Sequence, residues 1–259
     1  IAGHKGMLGS SILRKLKKKG YKKLITIDKK KLDLRNQNSV KNFFKMKKPD
    51  VVIIAAAKDG GIKANIKYQA NFINDNLQIQ TNLISSSYIH NVKKLVLFGS
   101  SCIYPKGLKK PIKENQIMTG VLESTNESYG VAKIAGIKMI EAFNKQFNTK
   151  YLCLMPCNLF GPNDNYDSEK SHFLPALIKK ILIASKNKKN KIVKLWGTGR
   201  PLREVLYVDD VAEACEYFLK KKTESSLINI GSSIEMSIKE YAYKIKNIID
   251  PKVIIKFDN

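Results

Sequence analysis

The chain is poor in cysteine, histidine, tryptophan and acidic residues, and it lacks any long apolar run. Its four cysteines, Cys102, Cys153, Cys157 and Cys215, form no paired CxxC set, which argues against a zinc site or a disulfide framework. No metal site is expected, and reduced thiols point to a cytoplasmic protein. No hydrophobic stretch approaches the ~20 residues needed to span a bilayer, and the first residues lack the charged-then-apolar pattern of a signal peptide. Carboxylates are few: 22 acidic residues face 47 basic ones, for a net charge of +25. Such an excess raises the question of nucleic acid. However, the lysines are scattered along helix faces, as at Lys15, Lys17, Lys18 and Lys19 or Lys186, Lys188, Lys189 and Lys191, without interleaved stacking aromatics. Attraction for an anionic nucleotide accounts for the charge more simply, so neither a nucleic-acid nor a membrane partner is expected.

What the chain does have is a repeated alternation of short apolar runs with helical patterns. Ile1-Ala2 reads as the end of a first strand. Gly3-x2-Gly6-x2-Gly9 then opens a helix whose Leu8, Ile12, Leu13 and Leu16 share one face. A glycine turn at a helix N-terminus lets a phosphate meet free N–H groups, although this spacing differs from the usual dinucleotide fingerprint, and a tight structural turn would look the same. Leu24 to Ile27 reads as a second strand ending at Asp28. An acid there suits the ribose of NAD, whereas Lys5, Lys29, Lys30 and Lys31 suit the 2′-phosphate of NADP; the residues alone pull both ways.

Further buried strands are expected at Val51–Ala55, Leu95–Gly99 and Tyr151–Met155, with long helices at Tyr68–His90 and Glu127–Phe147. The polar residues gather just after strand ends, as in an open parallel α/β sheet that binds ligands at its carboxyl edge. The pattern loosens after residue 163: helices are expected at Phe173–Ser185 and Ser237–Ile249, and strands at Ile192–Trp196 and Leu227–Gly231. The expected fold is a Rossmann-like doubly wound parallel sheet over residues 1–162. A smaller substrate-binding lobe over residues 163–259 partly returns to the sheet. Because the chain opens on Ile1 and stops inside the apolar run at Val253–Phe257, both ends are expected to continue in a longer protein, with the lobe truncated.

Tyr129 and Lys133 lie four residues apart, so on a helix they share a face. A phenol beside a fixed ammonium is expected to have its pKa drawn down and to trade protons with a carbonyl or alcohol oxygen. Among 11 tyrosines and many lysines such a pair also arises by chance on a solvated helix face. The pair gains weight from its company: the glycine turn, Ser100-Ser101 and Asn158-Leu-Phe-Gly-Pro162. With Tyr129-x3-Lys133, these resemble the extended short-chain dehydrogenase/reductase family. Longer matches are Ala2–Gly9, Ala55–Ile62, Gly99–Pro105, Tyr129–Lys138, Met155–Asn165, Ser171-His172 and Trp196–Glu204. They are similar to the branch that inverts C3 and C5 of GDP-4-keto-6-deoxy-D-mannose and reduces C4 with NADPH, giving GDP-L-fucose. One departure is Cys157, where that branch usually has threonine.

The resemblance implies an NADP(H) site of Gly3, His4, Lys5, Gly6, Met7, Leu8, Gly9, Lys29, Leu34, Phe98, Gly99, Ser100, Ser101, Lys133, Pro156, Cys157, Asn158, Leu159 and His172. It implies catalysis by Ser100, Cys102, Tyr129, Lys133 and His172. Cys102 and His172 would exchange the sugar protons, and Tyr129 and Ser100 would hold the C4 oxygen. Lys133 would bind the nicotinamide ribose. Lys180, Trp196 and Arg203 would bind the GDP-sugar substrate, although a solvated lysine and a core tryptophan are ordinary readings of the first two. The family also implies a homodimer through the helices at Tyr68–His90 and Glu127–Phe147. The nearest alternative is an NAD-dependent nucleotide-sugar 4-epimerase or 4,6-dehydratase, which shares Tyr129 and Lys133 but has no need of Cys102 with His172.

Overall fold

Apolar runs bounded by glycine or polar residues form the central strands in the computed structural model, which describes residues 1–108 and 111–258. In chain order the strands are β1 (Val51–Ile54), β2 (Lys94–Phe98), β3 (Tyr151–Pro156), β4 (Asn158–Phe160), β5 (Ile192–Trp196), β6 (Leu202–Tyr207), β7 (Leu227–Ile230), β8 (Glu235–Ser237) and β9 (Ile254–Asp258). The α-helices are α1 (Met7–Lys18), α2 (Gln37–Lys47), α3 (Ile62–Lys67), α4 (Gln69–Ile89), α5 (Glu127–Phe147), α6 (Phe173–Lys186), α7 (Val208–Lys220) and α8 (Ile238–Ile249).

The main sheet has the order β1-β2-β3-β7, every neighbour parallel, and Ala2 bridges to Ile54 on its other edge. Side chains alternate across a strand, so the sheet feeds two cores. One face sends Ile54, Leu95, Leu97, Cys153 and Met155 against Val40 and Phe44 of α2, Leu83 and Ile84 of α4, and Ile137 and Ile140 of α5. The other sends Ile53, Val96, Phe98, Leu152 and Leu154 against Ile12 and Leu16 of α1 and Val211, Ala212 and Cys215 of α7. Helices on both faces explain why β2 and β3 read as unbroken apolar runs. Burying Ile12 fully is worth about 1.5–3 kcal/mol.

Two smaller sheets flank this one. β4 pairs in parallel with β6, and β6 pairs antiparallel with β8, while β5 and β9 form a parallel pair. A third core joins α6, α8, β5 and β9 through Leu177, Ile181, Val193, Leu195, Ala242 and Val253. The chain nevertheless returns to its beginning. Ser11 on α1 donates to the Val208 carbonyl at 3.2 Å, and Arg14 meets Asp209 at 2.7 Å, which locks α7 beside α1.

The expected second strand at Leu24–Ile27 does not form a ladder. A ladder needs successive paired residues on both strands. Ile1 does donate its amino group to the Ile25 carbonyl at 2.8 Å, so the segment runs alongside without regular pairing. β6 was not expected from the sequence, because its Leu-Arg-Glu-Val-Leu-Tyr pattern takes its order from β4 and β8 rather than from its own alternation.

Candidate active site

The glycine turn is shaped by two close approaches. Gly3 takes φ +81°, and a Cβ there would lie 2.6 Å from the Ala56 nitrogen. A Cβ on Gly9 would lie 2.1 Å from the Gly3 oxygen, so α1 can leave the turn only if residue 9 has no side chain. Gly6 is different. Its Cβ would meet only the Gly3 oxygen at 3.5 Å, and Gly6 caps α1 with no side-chain bond and no acid in the first turn. The free N–H groups and positive potential of α1 therefore face outward, as an anion site needs.

Asp28 is already engaged. Lys5 Nζ stands 2.9 Å from one carboxylate oxygen and His4 Nε2 3.3 Å from the other. These bonds, that of Lys5 first, hold the Asp28 carboxyl below its ordinary range. An acid turned to its own basic neighbours offers less to a free ribose hydroxyl. His4, Lys5 and Lys29 beside an uncapped helix end therefore fit a dinucleotide that carries an extra phosphate. Leu34 packs against the core behind this corner. Arg35 and Lys58 both bind Asp75, at 3.1 and 2.9 Å, which holds the loop after β1 against α4.

At the end of β2, Gly99 passes so close to Met155 that a Cβ would sit 1.9 Å from its sulfur. Ser100 follows, then a 3₁₀ turn at Ser101–Ile103 that carries Cys102. Tyr129 stands in the first turn of α5, with Lys133 one turn later. Gly130 brings α5 against this turn, since a Cβ there would lie 3.1 Å from the Cys102 oxygen. Lys133 is buried and donates Nζ to the Phe98 carbonyl at 2.8 Å, with Nζ 5.6 Å from the centre of the Tyr129 ring.

The expected depression of the Tyr129 pKa is not found. Burial pushes the phenol well above its usual range, and the charges of Asp59 and Cys102 add in the same direction. The ammonium of Lys133 lies over the ring and spends a hydrogen bond on Phe98. Burial also lowers the Lys133 pKa, against the pull of Cys153, Asp59 and Cys102. Tyr129 is thus a neutral donor. Cys102 is likewise held as a thiol by burial, while the Ser100 hydrogen bond and the Lys133 charge draw its pKa partway back.

Opposite stands a residue that sequence reasoning left out. Asp59 lies 3.9 Å from Nε2 of His172. Desolvation pushes the Asp59 carboxyl up, but the nearby His172 and the charge of Lys133 outweigh it, and the net shift is downward. His172 is raised in turn, chiefly by the Asp59 carboxylate 3.9 Å away. The pair is fixed by backbone: Gly61 donates its N–H to the Lys170 carbonyl at 2.8 Å, and a Cβ on Gly61 would lie 2.3 Å from the Ser171 oxygen. The available signal was a lone carboxylate among small residues just past a strand end, where such sheets place ligands.

Pro156 ends β3, and the chain then crosses to the second sheet. Cys157 donates its N–H to the Ile230 carbonyl at 3.0 Å, and the Asn158 amide donates to the Glu204 carbonyl at 3.1 Å. Leu159 packs into the second core. Burial pushes the Cys157 thiol up to about 12, so it is an inert filler rather than a nucleophile. Trp196 is no core residue, for 72% of its surface is open. Lys180 Nζ lies 5.6 Å from its ring centre. Arg203 turns a guanidinium N–H to the Leu202 carbonyl at 2.8 Å and is partly exposed. The structure thus brings Ser100, Cys102, Tyr129, Lys133, Asp59 and His172 into one electrostatically connected group. Lys180 and Trp196 stand in a second group. Among the described residues no cluster of three or more His, Cys, Asp and Glu could hold a metal, and no helix is long and apolar enough to cross a membrane.

Residues 1–231 match the NAD dependent epimerase/dehydratase family. The chain is 49% identical over 249 residues to GDP-L-fucose synthase 1 of Arabidopsis thaliana, an alignment covering 96% of the chain and 77% of the relative. It is 40% identical over 267 residues to GDP-L-fucose synthase of Escherichia coli strain K12, covering 100% of the chain and 83% of the relative. Among solved structures, a GDP-D-glycero-L-gluco-heptose synthase of Campylobacter jejuni, crystallised in the presence of NADPH, superposes with a TM-score of 0.93 at 37% identity, covering 100% of this chain and 87% of that one.

Proposed function

The chain belongs to the NAD dependent epimerase/dehydratase family, and on that premise we propose that it converts GDP-4-keto-6-deoxy-D-mannose to GDP-L-fucose, inverting C3 and C5 and reducing C4. NADP(H) is the cofactor. The observation that carries this reading is that Tyr129 feels the charge of Cys102 and that of Asp59, the partner of His172, so that two acid/base groups attach to one phenol. A 4-epimerase or 4,6-dehydratase shares Tyr129 and Lys133, but its chemistry does not need Cys102 with His172. NADPH oxidation should therefore follow addition of the GDP-keto-sugar, with GDP-L-fucose found by NMR of the product. Oxidation yielding a 4-reduced sugar of uninverted configuration would sink the epimerase half of the reading.

The residues divide the work by their protonation. His172, whose acid form Asp59 favours, gives a proton to one face of the sugar, and Cys102, as the thiolate, takes one from the other. Both C3–H and C5–H are acidic because each lies alpha to the C4 ketone. Tyr129 and Ser100 hydrogen-bond the C4 oxygen, where negative charge gathers in each step. NADPH, when bound at the glycine turn, supplies the hydride that reaches C4. Tyr129 then passes its proton to that oxygen, which as an alkoxide is a stronger base than even a buried phenolate. Lys133 holds the nicotinamide ribose, and Lys180, Trp196 and Arg203 hold the GDP. Residues 1–162 carry the cofactor and 163–259 most of the substrate contacts, a division supported by the separate core around α6 and α8.

A homodimer in the cytoplasm belongs to the same proposal. The outer ends of α4 and α5 expose Tyr88, Ile89 and Phe147, with Tyr88 and Phe147 stacked at 4.2 Å, an apolar surface that a second copy would cover. A monomer mass in light scattering would refute the dimer. Cys102 must remain a free thiol, which a reducing compartment maintains.

The Asp59–His172 pair has a pH signature. His172 is raised above its ordinary pKa, so its acid form persists above about pH 6.5 and is lost as pH rises through the folded value. In Asp59→Asn the main cause of that rise is gone, although the Asp164 carboxylate still acts in the same direction. Because the Cys102 thiolate is still accumulating as His172 loses its proton, the rising limb of kcat/KM levels off at the His172 value, and in Asp59→Asn that point should move to lower pH. A point that stays in place would show that His172 is not the group it reports.

A further inference from the structure

Trp196 is the only tryptophan of the chain. It stands at the end of β5, a strand whose side chains alternate between exposed and buried. Its neighbours Val193 and Leu195 turn inward to the third core, so the strand puts the largest aromatic ring on the outer face. A wide, flat apolar surface left open suits a flat ligand.

Two ammonium groups approach the ring from different segments. Lys180 on α6 lies 5.6 Å from the ring centre and also donates to the Lys194 carbonyl at 3.4 Å. Lys63 on α3 lies closer, at 5.0 Å. Among the described residues neither lysine pairs with a carboxylate. Glu169 shares a small recess with Lys63 and Lys67 yet bonds to neither. Two like charges held about one ring repel each other, and an anion between them removes that penalty. An aromatic plate flanked by two cations without carboxylate partners is the complement of a nucleoside diphosphate: the base lies on the ring and the phosphates meet the ammonium groups.

The geometry points to Lys63 as a further substrate-binding residue, which takes the diphosphate of the nucleotide-sugar from α3 while Lys180 takes it from α6. The inference rests on the GDP-sugar reading above and adds to it a contact from the cofactor-binding part of the chain. Lys63 is also well placed to couple binding to chemistry. α3 follows Gly60-Gly61, where a Cβ would lie 2.9 Å from the Ala64 Cβ or 2.3 Å from the Ser171 oxygen, respectively. That packing ties α3 to the segment bearing His172, and Asp59 lies four residues before Lys63. A diphosphate held on Lys63 would therefore bear on the loop that sets the Asp59–His172 pair.

The single tryptophan makes the test direct, because its fluorescence reports on this cleft alone. GDP titrated into the intact protein should quench Trp196. Lys63→Met should bind GDP about 10-fold more weakly, the effect of one lost cation–phosphate bond, and Lys63→Arg should recover most of it. Lys67→Met, one turn on and over Tyr68 at 5.4 Å, should bind as the parent does. In turnover, Lys63→Met should raise the KM for the GDP-keto-sugar and leave that for NADPH in place. Equal GDP affinity in the parent and Lys63→Met would overturn the role of Lys63. Equal weakening in Lys67→Met would overturn it too, by reducing the effect to general charge. Absence of quenching in a protein that turns over the GDP-keto-sugar would overturn the placement of the nucleotide on Trp196, with the reaction itself intact. Absence of both would instead refute the GDP-sugar reading.

Discussion

Tyr129→Phe is expected to lower kcat for NADPH oxidation with the GDP-keto-sugar by about 10³-fold or more, while NADPH binding stays near the parent value. The substitution removes one oxygen and keeps the ring against Lys133. Loss of a positioned acid costs about 10²–10⁴-fold, and loss of a donor to a developing oxyanion about 10²–10³-fold. Here a single hydroxyl fills both roles. The direction of its pKa makes the expectation sharper. Burial, with the charges of Asp59 and Cys102, holds the phenol protonated, so it is a donor across the whole neutral range and no bound water offers an equal replacement. The same variant should slow solvent deuterium entry at C3 and C5, because the enolate oxygen formed in those steps is the oxygen Tyr129 holds. Near-normal NADPH oxidation would refute the proton-donor role. Lost oxidation with unchanged deuterium entry would confine Tyr129 to the reduction.

Residue pattern alone revealed the parts of the fold that depend on long apolar runs. β1, β2 and β3 are largely buried, so each announces itself as an apolar run. Elements whose order comes from a partner were silent or misleading. Leu24–Ile27 has the composition of a strand and lacks a ladder, since pairing is a property of two segments. β6 has a weak pattern and forms because β4 and β8 lie on either side.

The candidate site divides along the same line. Cys102, Tyr129, Lys133 and His172 could be singled out because residue type and the family's motifs mark them. Their electrostatics could not, because a pKa depends on depth and on neighbours distant in sequence. Tyr129 and Lys133 suggested a lowered phenol, but spacing gives no information on burial, and burial dominates. Trp196 was open to a core reading because type alone favours the interior, whereas strand alternation turns it outward. Asp59 was passed over because its importance lies in a partner at residue 172, joined to it through the Gly61–Lys170 contact.

Cys102→Ala should reduce deuterium incorporation at the epimerising carbons by about 10²–10⁴-fold, the range for removal of a general base. Burial holds the Cys102 thiol above its ordinary pKa, so only a small fraction is thiolate at neutrality and the exchange rate in the parent should climb with pH. Ser100 and Lys133 work against burial, which keeps that fraction from vanishing. Cys102→Ser separates basicity from packing. It keeps the size and the hydrogen bond, but its hydroxyl titrates far above any thiol, so exchange should fail and the rise with pH should disappear. If the fold is intact, both variants should still bind NADPH, since the glycine turn and Lys133 are untouched, and any sugar they reduce should retain its original configuration at the uninverted carbons. Normal exchange at both carbons in Cys102→Ala would remove Cys102 from the mechanism and leave the Asp59–His172 pair to move both protons. A single group cannot easily do that, because inversion delivers the new proton to the face opposite the one it left.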